Sequence, residues 1–250
     1  MIAEPLAYGD SFLHRIDPRL RIVVATLFSC SVAVFHALAA LTAACLVALL
    51  LLVTSGLDWR EVGRRMAVVL GFVLLLWCLL PVTYEGEVLA RVGPLNVYRP
   101  GLLLAAQITL KSLAIIAVFT ALVATMPVST LGQSLARLHV PAKLVYLLLM
   151  CYRYIFVIEQ EYHRLVAAMK IRGFQPRTNL HTYRSYAYLV GMLFVRAANR
   201  ADRVHQAMRC RGFDGRFHSL ATFPIHPANQ WFAAAAASAM IALLWMEWVF

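Results

Sequence analysis

Arg172 and Arg211 stand thirty-nine positions apart in nearly the same seven residues, AMKIRGF at Ala168–Phe174 and AMRCRGF at Ala207–Phe213. A guanidinium is a permanently charged planar fork of donors, suited to a partner's carboxylates or to helix-end carbonyls. The chemistry on offer is therefore recognition rather than bond breaking. Each arginine precedes a glycine, Gly173 or Gly212, which suits the left-handed position after a helix that a residue with a Cβ adopts poorly. Pro176 follows the first stop and Asp214-Gly215 the second. Arginine then glycine at a helix end is also ordinary capping, because cations favour the carboxyl-terminal dipole. Two copies with matching Ala-Met and Phe flanks suggest more, namely two matched docking tips.

Other chemistry is sparse. The chain has no GxxxxGK[ST] phosphate loop, no HExxH, no GxSxG and no paired-cysteine metal site, so any ATP-driven work is expected of another subunit. Its eight histidines are dispersed. His163 and Glu159, four residues apart, read as a surface pair before a metal site, and His14 reads as structural. Cys30, Cys45, Cys78, Cys151 and Cys210 lack CxxC spacing and read as small core hydrophobes. Lys111 is the only Lys or Arg inside an apolar run, where a charge suggests function; a structural role near a helix end is the alternative.

The tips need long helices behind them. Leu144, Leu148, Cys151, Ile155, Ile158, Tyr162, Leu165 and Met169 recur at alternating steps of four and three, a 3.5-residue seam that predicts lengthwise packing on another helix. Val190, Phe194, Ala197, Ala201, Val204 and Met208 repeat that phase thirty-nine residues later. Both motif arginines stand three residues beyond the last seam methionine. Arg196, Arg200 and Arg203 form a basic stripe beside the second seam, open to solvent, anionic headgroups or an acidic partner.

Composition places these helices in a membrane protein. Of 250 residues, 62% are hydrophobic and 14% charged, against about a quarter charged in soluble domains. Apolar stretches near 20–36, 38–54, 66–83, 102–125 and 230–249 meet the roughly 17–25 residues of a span, the first two joined by a tight hairpin near His36. The amino terminus has no apolar core, so the first apolar helix is expected to be retained. Residues 126–229 hold 14 Lys and Arg against 4 Asp and Glu, a surplus of +10 within a total of +11. The positive-inside rule then places this region and the amino terminus in the cytoplasm. The expected division is 1–125 with four spans, 126–229 cytoplasmic, and 230–250 as the last span. Nucleic acid is not an expected partner.

SFLHRIDPRLRI (Ser11–Ile22), MPVSTLGQSLARLHVP (Met126–Pro141) and the X-Arg-Gly motifs IRG (Ile171–Gly173) and CRG (Cys210–Gly212) resemble the transmembrane T components of energy-coupling-factor transporters. Closest in pattern are the CbiQ-type subunits of cobalt or nickel importers. The resemblance implies an all-α integral membrane protein of about five spans with two long cytoplasmic coupling helices, in the bacterial inner membrane. It implies two ATPase partners that carry ATP-Mg and seat Arg172 and Arg211 in grooves, with Gly173 and Gly212 shaping the helix ends. A separate substrate-binding membrane subunit captures the ion, so this chain is expected to be non-catalytic, with no cofactor and no metal ligand of its own. Ile171 and Cys210 fill the X position, often alanine in the family. A T component shared among vitamin-capturing subunits, or a membrane protein that binds anionic lipid through the arginine stripe, are the alternatives.

Overall fold

The computed structural model describes Leu13 and residues 16–84, 88–92, 95–213 and 227–249. Among them the order is α1 (Pro18–Val34), α2 (Leu38–Thr54), α3 (Trp59–Thr83), β1 (Val88–Val92), β2 (Leu95–Tyr98), α4 (Arg99–Leu122), α5 (Val128–Arg137), α6 (Ala142–Ile171), α7 (Leu180–Cys210) and α8 (Pro227–Val249). Each of the five apolar stretches forms a helix. Three of these, α3, α4 and α8, are long and apolar enough to cross a membrane; α2 is apolar but only 17 residues long. α1 is equally short and opens on Arg19 and Arg21.

The chain is all-α with one exception. Between α3 and α4, strands β1 and β2 pair antiparallel, with Val92 opposite Leu95 and Arg91 opposite Asn96. Two short runs rich in β-branched residues flank Gly93-Pro94, a pairing signal that outweighs loop character. His14, Arg15, Glu85, Glu87 and Asp214-Gly215 lie outside the described residues.

The described residues fall into two compact units, with the division inside α5. One holds α1–α4, the hairpin and α8. There α4 packs against α1, α2 and α3, and α8 against α1 and α2. Alanine makes the close approach possible: Ala40, Ala44 and Ala48 of α2 and Ala105, Ala114 and Ala121 of α4 are buried. Small residues let helix backbones near one another where lipid gives no hydrophobic drive between helices. Outward faces are apolar instead, with Phe72, Leu74 and Leu75 of α3 exposed. Trp231 and Trp248 are exposed near opposite ends of α8, about 25 Å apart along the axis, where indole rings favour the two membrane interfaces.

The α1–α2 turn is the demanding point. Arms of 17 residues reach only about 25 Å, short of the roughly 30 Å hydrocarbon core. The other end of α1 carries Asp17, Arg19 and Arg21; at the turn, backbone groups outside the helices need partners within the protein wherever bulk water is excluded. Three side chains supply partners. The Glu247 carboxylate accepts from the His36 and Ala37 amides (2.7 and 3.1 Å). Lys111 Nζ donates to the Ala33 carbonyl (2.9 Å), and Gln107 Nε2 to that of His36 (2.7 Å). The anion thus sits at the start of α2 and the cation at the end of α1, as both helix dipoles favour.

Two predictions follow from this packing. A Cβ at Gly101 would stand 2.5 Å from the Leu80 carbonyl oxygen and 2.9 Å from Pro81 Cα, whereas one at Gly71 meets nothing within 4 Å. Gly101→Ala should lower stability by about 1–3 kcal/mol and Gly71→Ala raise it by about 0.5–1 kcal/mol, read from unfolding in detergent; equal effects would reject the close approach. Glu247→Leu should cost about 1–3 kcal/mol through unpaired amides and speed hydrogen exchange at His36 and Ala37, with Glu247→Gln milder. Unchanged exchange would exclude the clamp.

Candidate functional site

The second unit holds α6 and α7, which end in the two heptapeptides. Both ends close in one geometry. Gly173 N–H donates to Lys170 O (3.0 Å) and Phe174 N–H to Met169 O (3.1 Å); Gly212 N–H donates to Arg209 O (3.0 Å) and Phe213 N–H to Met208 O (3.0 Å). Gly173 and Gly212 have φ of 79° and 77°, the left-handed conformation that glycine adopts without strain. This 6→1 and 5→2 pair is the Schellman motif, whose usual companion is an apolar contact between the residues that stand here as methionine and phenylalanine. Met169 and Phe174 do line one small cavity with Pro176 and Tyr186.

That corrects one step of the sequence argument. The matching Met, Gly and Phe are what this cap itself requires. The arginines are what capping leaves over. Arg172 and Arg211 are exposed at the C-caps, neither with an ion pair or side-chain hydrogen bond among the described residues. Ile171 beside the first is 88% exposed, and Cys210 beside the second is also exposed.

The predicted seams hold only at their carboxyl-terminal ends. Leu165, Met169, Val204 and Met208 are partly covered, but Leu144, Leu148, Ile155 and Ile158 are exposed. The covered line runs one residue earlier, through Met150, Tyr154, Val157 and Glu161 on α6 and Leu189, Leu193 and Arg200 on α7. A straight helix drifts about 20° per heptad from a 3.5-residue repeat, so helices that do not supercoil lose the seam within a few turns. The thirty-nine-residue correspondence survives this shift: Met150 maps to Leu189, Tyr154 to Leu193 and Glu161 to Arg200.

Glu161 and Arg200, equivalent across the repeat, lie within ion-pair reach, but the direct bond of Glu161 is to Arg196. Glu161 is hydrogen-bonded to Arg196 and lies 4.0 Å from Arg200 and 3.6 Å from Arg164. Two members of the predicted arginine stripe are therefore engaged with α6. The bonded Arg196 guanidinium holds the Glu161 carboxyl below the usual carboxylate range; partial burial opposes this, and Arg164 and Arg200 add to the lowering.

Other sequence candidates fall elsewhere. Lys111 is part of the turn clamp, a structural role. Arg21 is 2% exposed and its guanidinium donates to Thr125 Oγ1, which in turn donates to Ala121 O (2.9 Å). Asp17 caps α1 by accepting from Arg19 N–H (3.0 Å), and its own amide donates to Asn229 Oδ1 (3.1 Å). The described part of the first signature thus ties together the starts of α1 and α8 and the end of α4. The cysteines are not core residues: Cys30, Cys78, Cys151 and Cys210 are exposed and Cys45 half-buried, all as free thiols. For Cys30 and Cys78, on helices of the membrane unit, an apolar thiol facing lipid gains nothing by turning inward. Among the described residues no three His, Cys, Asp or Glu gather as metal ligands. Helix α5 was not anticipated, although Val128, Leu131 and Leu135 at steps of three and four announce it; its Gly132 abuts Leu149, which a Cβ would approach to 2.6 Å.

Apolar helices packed through small residues in one unit, three of them long enough to cross a membrane, and two long helices with duplicate arginine tips in the other define an all-α polytopic membrane protein. Residues 9–221 match the CbiQ family, described as cobalt transport protein. The energy-coupling factor transporter transmembrane protein EcfT of Thermosediminibacter oceani is 26% identical over 83% of this chain and 82% of its own. That of Leuconostoc gelidum is 29% identical over 82% and 81%. The cobalt transport protein CbiQ of Salmonella typhimurium is 29% identical over 64% and 73%. The chain belongs to the CbiQ family, the CbiQ-type T components of energy-coupling-factor transporters.

Because Glu161 has a depressed pKa, its ionic contribution is complete above the ordinary carboxylate range and is lost as pH falls through the lowered value. Spin labels at positions 171 and 210, in a background without other reactive thiols, should give a narrow distance distribution at pH 7 that broadens only once the pH falls below the ordinary carboxylate range. Glu161→Gln should be broad at both pH values. A distribution indifferent to both changes would deny the clasp any role in setting the helix ends.

Proposed function

We propose that this T component couples ATP hydrolysis by two partner ATPase subunits to uptake of a divalent transition-metal ion, cobalt before nickel. The ion is captured by a separate substrate-binding membrane subunit. The chain itself is the non-catalytic link, lying in the bacterial inner membrane with its amino terminus and residues 126–229 in the cytoplasm. The observation that carries this reading is the pair of caps with one geometry, each leaving an arginine exposed. Arg172 and Arg211 enter the ATPase pair, Gly173 and Gly212 set their direction, and Ile171 and Cys210 flank the contact. A planar guanidinium suits a groove lined with carboxylates or helix-end carbonyls. Closure of the ATPase pair then draws the two tips together and moves α6 against α7.

The difference between Ile171 and Cys210 gives the two tips unequal surfaces, a branched apolar side chain against a thiol. A second reading has a specific support. The EcfT relatives named above align over more than four-fifths of this chain, against 64% for the Salmonella cobalt transport protein. In that reading the chain serves several substrate-capturing subunits, vitamin binders among them. The membrane partner that co-purifies with the chain separates the two.

Replacing Arg172 and Arg211 together with Glu should abolish ATPase co-purification and metal uptake without loss of helix content, since neither side chain has a described intramolecular partner. Each single variant should retain partial assembly. Normal assembly and uptake in the double variant would reject docking through these tips.

A further inference from the structure

Between α6 and α7 lies a cleft of about 640 Å³, within the size range of small-molecule sites. Its two walls differ in chemistry. The α6 wall is apolar, with Cys151, Ile155 and Ile158, apart from Glu161; the α7 wall sets Arg196, Arg200 and Arg203 among Leu193 and Ala197. Three guanidiniums face one carboxylate in the lining, a surplus of two positive charges. Glu161 is hydrogen-bonded to Arg196 and lies 4.0 Å from Arg200 at the cleft, while Arg203 is exposed and has no ion pair among the described residues.

An occupant must therefore combine an apolar body with an anionic head. A purely charged ligand leaves the α6 wall unused, since only apolar surface gains by covering Cys151, Ile155 and Ile158. We propose that the cleft binds one anionic phospholipid, its acyl chain against Cys151, Ile155 and Ile158, and its phosphate on Arg203 beside Arg196 and Arg200. Membranes present anionic headgroups to basic segments lying at their surface, and a phosphate accepts the forked donors of arginine in a way a zwitterionic choline headgroup offsets with its own cation. The geometry also separates this site from mere surface adhesion. Adhesion needs only the arginines; a seated lipid needs the apolar wall as well.

The full-length chain, exchanged against vesicles of phosphatidylglycerol or of phosphatidylcholine and examined by native mass spectrometry, should keep one phosphatidylglycerol and prefer it roughly tenfold. Arg203→Ala should remove most of that preference, about tenfold for one charge-assisted contact. Ala197→Phe fills the cleft and should release the lipid with all arginines present; Cys151→Phe, from the opposite wall, gives the same test should the first variant misfold. Equal retention of both lipids would overturn the proposal and leave the arginine wall to an acidic protein partner. Undiminished phosphatidylglycerol binding in the folded, cleft-filled variants would overturn it equally, since the lipid would then sit on the charges alone.

Discussion

Where water is scarce, every helix end must find its hydrogen-bond partners within the protein, and the described structure is organised around that requirement. An unpaired amide or carbonyl in hydrocarbon costs several kcal/mol, comparable to the margin by which a protein stays folded. The α1–α2 turn meets the requirement with side chains from distant sequence: Glu247 covers two amides, and Lys111 and Gln107 each cover a carbonyl. These contacts also hold α4 and α8 to the hairpin. Lys111, in isolation a charge inside an apolar run, is explained by the carbonyl of Ala33.

The same requirement is met differently at the ends of α6 and α7. There the backbone closes on itself through a left-handed glycine and two hydrogen bonds. A self-contained cap leaves the adjoining side chains uncommitted. Ile171, Arg172, Cys210 and Arg211 are exposed for that reason, and an exposed surface free of internal obligations is what a partner can use. The contrast between a clamp that consumes Lys111 and a cap that spares Arg172 separates structural from available cations better than charge or position does.

The sequence carried much of this. Apolar runs located all five membrane-unit helices, three of them long and apolar enough to cross a membrane. The glycine conformations were legible because Gly173 and Gly212 follow helical periodicity directly. Three things were not legible. The start of α3 at Trp59 lies in a polar stretch, Arg60 to Arg65, that hydropathy treats as loop although Asp58 precedes it and Glu61 pairs with Arg64 (2.8 Å). The turn clamp joins residues more than 70 positions apart, which no local pattern records. The seam was drawn with a period suited to supercoiled helices, and the angle between α6 and α7 is a tertiary fact.

That drift sharpens what the duplication means. A repeat kept only for capping would preserve Met, Gly and Phe and little upstream of them. Here the correspondence reaches back through Leu165 and Val204 to Tyr154 and Leu193, and it holds on the covered line, which is the line under packing constraint. At one corresponding pair the residues carry opposite charge: Glu161 maps to Arg200, 4.0 Å away, while its direct bond is to Arg196, the counterpart of Val157, and opposite charges attract where identical ones would repel. Two helices alike in phase and complementary at that pair can turn about the ionic contact while their tips remain equivalent. The arginines at those tips then act at the ends of two matched levers, and the length of helix between Glu161 and Arg172 matches that between Arg200 and Arg211, eleven residues in each case.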